Sequence, residues 1–229
     1  LLIPQQMRTV PASVDYLTDF SSWLDMQNGA APPSYALDPT PRYLRNLRDL
    51  GEWVHVDALY QAYHQACLIL LGMGAPAAAG IPYKTSSTQI GFGTFGGPHV
   101  LSLVTEVASR ALKAVWYQKW FVHRRLRPEA FGGLIHHTRA GTATYPVHVE
   151  ALNSAAVGEV FSDHGTYLLP VGAPEGSPTH PSYGAGHATV AGACVTILKA
   201  WFDNAHVIAA PVLANSDGTD LLAYSGPAL

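Results

Sequence analysis

At 229 residues the chain has the length of one domain with a sizeable core; 48% of it is hydrophobic, and the 13% that is charged is about half the usual share. The formal net charge of −3, with basic residues scattered apart from Arg124-Arg125-Leu126-Arg127, argues against a nucleic-acid partner. So little charge points instead to burial within a larger domain or against other subunits, as in a homo-oligomer.

Membrane insertion is not expected either, since the most apolar run, residues 67–81, is broken by Gly72, Gly74, Pro76 and Gly80 and is too short to span a bilayer. Leu1-Leu2-Ile3-Pro4 has neither the charged start nor the long apolar run of a secretory signal. Cys67 and Cys194 both sit among apolar residues, which suits buried free thiols.

In chain order, residues 1–40 are rich in proline and polar residues, with one helical candidate over 13–27, where Asp15, Asp19 and Asp25 suit surface charges or caps. From Tyr43 to about Leu71 the pattern predicts one continuous helix, with Leu44, Leu47, Val54, Tyr60, Tyr63 and Cys67 on its apolar face. Arg42, Arg45, Arg48, Asp49 and Glu52 are spaced for surface ion pairs. The Gly- and Pro-rich stretch 72–97 reads as a loop; its Gly91-x-Gly93-x-x-Gly96 lacks the preceding strand that a nucleotide-binding turn requires.

A second long helix is predicted from Pro98 to about Val122. Val100, Val104, Val107, Ala111 and Val115 recur at helical steps, and one more step of four lands on Lys119, with Trp116 beside it. A lysine that continues an apolar stripe must snorkel outward or face an anion, because a buried unpaired ammonium costs several kcal/mol. Arg127 precedes Pro128, which pushes it into extended backbone, so that Lys119 and Arg127 can converge on one anion. Residues 129–181 read as loop-dominated, and His136-His137 makes no convincing metal pair.

The stretch 180–201 then supplies an irregular entry, His180-Pro181-Ser182-Tyr183-Gly184-Ala185-Gly186-His187, opening into an apolar helix. Such a helix start aims free N–H groups and a positive dipole end at one point, which suits an anion. His187 shares a stripe with Val190, Cys194, Ile197 and Trp201. By itself it is either a hydrogen-bonded core histidine or an acid/base group. The whole reads as a single, mainly α-helical domain over 1–229 with long functional loops.

Three features together, Lys119-x7-Arg127-Pro128 and the Gly186-His187 turn, resemble the vanadium-dependent haloperoxidases and the type 2 acid phosphatases of the same helical-bundle fold. The wording of residues 116–129 and 174–183 is similar to the bromoperoxidases of marine algae and cyanobacteria. That resemblance implies a vanadate cofactor held by Lys119, Arg127 and the Gly186 N–H, with His187 as acid/base group and with His180 and Trp116 lining the site. It implies halide oxidation, bromide foremost, by hydrogen peroxide to hypohalous acid, which halogenates small organic substrates. Vanadium would act as a Lewis acid of constant oxidation state.

Two departures stand out. Ala185 occupies a position where the family commonly has serine. The family also closes its site with a further arginine and then the histidine that binds vanadium, whereas this chain has no arginine after Arg139 and only His206 after His187. The chain therefore reads as a fragment of poor activity, truncated before that histidine, which is expected beyond residue 229. Two alternatives share the same pattern, an acid phosphatase of the superfamily and an inactive structural paralogue.

Overall fold

The structure, a computed structural model, describes residues 4–229. Among these the chain forms α1 (Phe20–Gln27), α2 (Leu47–Val56), α3 (Gln61–Gly72), α4 (Gly97–Tyr117), α5 (Pro128–Ala140), α6 (Val149–Leu152), α7 (Ala155–His164) and α8 (Gly186–Trp201). A π-helical turn over Gln118–His123 extends α4, and β1 (Val212–Ala214) pairs antiparallel with β2 (Leu221–Ala223). The mainly α expectation holds. No helix among the described residues is long and apolar enough to cross a membrane.

The core lies where α4 packs along α8, with α3 closing one side. Val100, Val104 and Ala108 of α4 meet Val190, Cys194, Leu198 and Trp201 of α8 and Cys67 of α3. Burying a valine or leucine side chain contributes on the order of 1.5–3 kcal/mol, so this seam fixes the two helices whose ends carry the candidate site. Leu198 takes the buried place predicted for Ile197, which is only half-buried. Burial pushes both Cys67 and Cys194 thiols up to about 11, which leaves them inert.

Several sequence expectations are corrected. The first helix covers only Phe20–Gln27, because the Asp19 carboxylate accepts from the Ser22 N–H and caps it there; the Ser22 hydrogen bonds hold Asp19 at about 2. The continuous helix over residues 43–71 is two helices. Asp57 leaves the helical region at ψ 150°, and the Gln61 side chain accepts from the Ala58 N–H at 3.0 Å as α3 begins. Nor does α2 bury its apolar face. Leu47, Leu50 and Val54 are exposed, whereas Asp49 and Glu52 are buried, Asp49 held low chiefly by its hydrogen bond to Arg45.

Residues 129–181 are not mainly loop, since α5, α6 and α7 fall there. Pro128 starts α5 at a position that needs no N–H, and Gly132 and Gly133 continue it instead of breaking it. A Cβ on Gly133 would collide with the Trp23 indole, so that glycine serves close packing. His136 and His137 are structural: Tyr167 N–H donates to His136 Nδ1 at 3.2 Å, and His137 Nδ1 lies 2.8 Å from the Thr142 hydroxyl. The Gly91–Gly96 loop folds on itself, and its Phe95 stacks on Trp201 with 6.3 Å between centroids.

Candidate active site

The π-helical turn that extends α4 carries Lys119. Its wider spiral ends with the Arg124 N–H donating to the Lys119 carbonyl at 2.9 Å, and Arg124 leaves the helix in the left-handed region (φ 44°, ψ 46°). Lys119 is 1% exposed although Gln118 and Trp120 on either side are open to solvent. Its Nζ donates to the Pro181 carbonyl at 2.8 Å and the Ser182 carbonyl at 3.3 Å, and lies 3.4 Å from His180 Nδ1. The stripe lysine therefore points inward, onto the loop that feeds α8.

Arg127 reaches the same region from the extended segment. It caps α5 at φ −68° and ψ 154°, the conformation that the following proline favours. Ser182 ties this segment to the loop: its N–H donates to the Arg125 carbonyl at 3.1 Å and its hydroxyl to the Leu126 carbonyl at 2.7 Å. Arg127 Nε is buried without a hydrogen-bond partner. Burial lowers the Lys119 pKa, and the positive charge of Arg127 lowers it further.

Among the described residues neither cation forms an ion pair with a carboxylate. A buried ammonium and a nearby guanidinium whose buried Nε–H is unanswered form an arrangement that an oxyanion would complete with charge-assisted hydrogen bonds. The start of α8 faces the same end of the bundle. A Cβ on Gly184 would lie 3.2 Å from Val115 Cγ2 and one on Gly186 3.5 Å from Leu112 Cδ1, so the helix begins against the last turns of α4. Ala185, its cap residue, offers no side-chain oxygen to the first N–H groups.

Trp116 and His180 pack together at the rim, ring centroids 5.4 Å apart. His180 Nδ1 is within reach of the Lys119 ammonium, which only donates, and 3.0 Å from the Pro181 carbonyl, which only accepts. One ring nitrogen cannot serve both, so the His180 tautomer is coupled to the partner that Lys119 chooses.

His187 is the first residue of the α8 stripe but is not a core histidine: its side chain is 55% exposed. Its Nε2 lies 3.3 Å from both carboxyl oxygens of Asp57, which is itself 9% exposed and stands at the break between α2 and α3. Sequence reasoning missed Asp57, because no local pattern marks a partner 130 residues away. His206 follows α8 at its far end, and the 16 residues of that helix span roughly 24 Å, so it is no part of the cradle. The described residues contain no group of three or more His, Cys, Asp or Glu arranged to hold a metal ion.

No protein-family model matches the chain. It is 46% identical over 228 residues to the vanadium-dependent bromoperoxidases of Corallina pilulifera and Corallina officinalis, across 89% of this chain and 38% of each of theirs. It is 36% identical over 244 residues to the vanadium-dependent bromoperoxidase of Ascophyllum nodosum, across all of this chain and 44% of that protein. A second vanadate-dependent bromoperoxidase of Ascophyllum nodosum, solved as a homohexamer, superposes with a TM-score of 0.89 at 30% identity, over 99% of this chain and 40% of that one. The chain thus spans well under half the length of these relatives. Over the span it shares with them, it belongs to the vanadium-dependent haloperoxidases, in their bromoperoxidase branch.

Proposed function

We propose that this chain forms the oxyanion-binding part of a vanadium-dependent bromoperoxidase, with vanadate as cofactor and hydrogen peroxide, bromide and a small organic acceptor as substrates. The observation that carries this is the buried Lys119 beside Arg127, whose Nε has no partner, neither cation being ion-paired with a carboxylate among the described residues. The names of the relatives supply the identity of the anion. Lys119 and Arg127 donate to vanadate oxygens together with the Gly186 N–H, each charge-assisted bond contributing on the order of 1.5–3 kcal/mol. Bound vanadate supplies Lewis-acid activation of peroxide.

The remaining work falls to this chain's own side chains. With Nε2 of His187 engaged by Asp57, Nδ1 is the ring nitrogen left to take a proton from hydrogen peroxide. Asp57 fixes that tautomer and ring orientation, as a carboxylate behind a catalytic imidazole does. Trp116 and His180 form the wall at which bromide and acceptor enter. The protein that contains this chain assembles as a homo-oligomer, a reading supported by the homohexameric neighbour and by the exposed apolar side of α2.

The test is titration of the chain with orthovanadate, followed by vanadium NMR and by thermal unfolding, with orthophosphate in parallel. Saturable vanadate binding that is lost in Lys119→Ala and Arg127→Ala is expected. For the whole protein, vanadate-dependent bromination of a phenol reporter is expected; phosphate-ester hydrolysis without bromination would assign it to the acid phosphatases instead.

A further inference from the structure

Glu129 stands two residues after Arg127, on the first turn of α5, and is 4% exposed. It has no role in the cradle described above, and among the described residues it forms no ion pair. Its carboxyl oxygens instead accept twice from a single residue: the Ser177 N–H donates to Oε1 at 3.0 Å and the Ser177 hydroxyl to Oε2 at 2.5 Å. The Glu129 carbonyl also accepts from the Trp23 indole N–H at 3.0 Å in a buried contact, which fixes this turn of α5 from the other side.

Ser177 opens the short run that reaches His180, Pro181 and Ser182. That run therefore meets the Arg125–Glu129 segment twice, through Ser177 at Glu129 and through Ser182 at Arg125 and Leu126. Between these two attachments lie the His180 ring and the Pro181 carbonyl, both within reach of Lys119 Nζ. Arg127 lies between the corresponding points on the other strand. The two attachments bracket the cation pair, and Glu129 supplies the one that is buried and bidentate.

We propose that Glu129 is a positioning residue. It docks the His180-bearing loop onto the N terminus of α5, so that His180 is presented to Lys119 and the loop's carbonyls hold the ammonium beside Arg127. The docking uses acceptor oxygens, and a glutamine amide oxygen can still take the Ser177 N–H while its NH2 faces the rotatable hydroxyl. The consequence for the cofactor rests on the proposed vanadate cradle; the docking itself does not.

Hydrogen exchange and His180 ring NMR on the vanadate-free protein test the docking directly. In Glu129→Ala, exchange at the amides of residues 176–183 should quicken by about tenfold or more, roughly the loss of one hydrogen bond of 1–3 kcal/mol, while the α4 and α8 amides stay protected. The His180 ring signals should move toward those of a solvent-exposed histidine. Glu129→Gln should restore both readouts.

Acceleration spread evenly over α4 and α8, or an unmoved His180 spectrum in folded Glu129→Ala, would overturn the proposal. So would Glu129→Gln behaving like alanine. If Glu129→Ala does not fold, Ser177→Ala is measured in the same way, with the same local pattern expected and the same overturning results. Vanadate titration of these variants is read separately: Glu129→Ala should bind about tenfold more weakly than the parent. A parent that binds no vanadate would sink the proposed function and leave the docking result standing.

Discussion

Lys119 is the residue on which charge, burial and function meet. Burial, and then the charge of Arg127, hold its pKa below the ordinary 10.5. Between the lowered value and 10.5 the unfolded chain carries a proton that the folded chain has released, so stability rises with pH across that window. Below the window the charged ammonium is a standing cost, and a bound anion removes it. Vanadate binding near neutral pH should therefore raise the thermal midpoint, and Lys119→Met should shrink that gain while leaving the anion-free midpoint within a few degrees. Affinity should fall about tenfold to a hundredfold, matching one or two charge-assisted bonds. A Lys119→Met protein that vanadate still stabilises as strongly as the parent would contradict the cradle. Lys119 was legible because a lysine violates its apolar stripe, and Arg127 because a proline follows it. Asp57 was not, since its place beside His187 is decided by the packing of helices far apart in sequence. Asp57→Asn should lower turnover of the whole protein more than it lowers vanadate affinity, as the ring loses its anionic partner but the cradle is untouched.

At the scale of elements, α8 begins without a cap. Ala185 has the extended backbone of a cap residue (φ −72°, ψ 120°) but no oxygen to give. A serine there would accept from the second or third N–H of the helix, leaving the Gly186 N–H free for the anion. Ala185→Ser should thus add about 1 kcal/mol and a few degrees to the anion-free midpoint, without weakening vanadate binding. Weaker binding in that variant would mean that the anion uses N–H groups deeper in the first turn. The long helices were readable from period alone, because α4 and α8 each commit a stripe to the same seam. The helices over residues 128–164 were not, because Gly132 and Gly133 look like breakers until Leu169 is seen packed against the first and Trp23 against the second. The break at Asp57 has no proline or glycine to announce it. Pro128 is legible as the cause of the extended backbone at Arg127, and it is also the first residue of α5.

The whole molecule inverts an ordinary rule at α2, and that inversion bears on assembly. Asp49 and Glu52 of this helix are buried at 1% and 5% exposure, whereas Leu47 is 84% exposed, with Leu50 and Val54 also open. Arg45 answers Asp49 through three contacts, so the charged side can sit inside at little cost. The apolar side then faces outward, where a stripe of leucine and valine on one surface helix gains nothing from water. A chain with only 13% charged residues has few means of keeping such a face solvated. Burial against a second copy resolves both facts at once, and it agrees with the homohexameric neighbour. Sedimentation velocity should show the parent chain associating at micromolar concentration. Leu47→Asp combined with Leu50→Asp should shift it toward monomer with its helical circular dichroism intact, since neither side chain belongs to the core. A parent chain that stays monomeric at high concentration would overturn this assignment of the face.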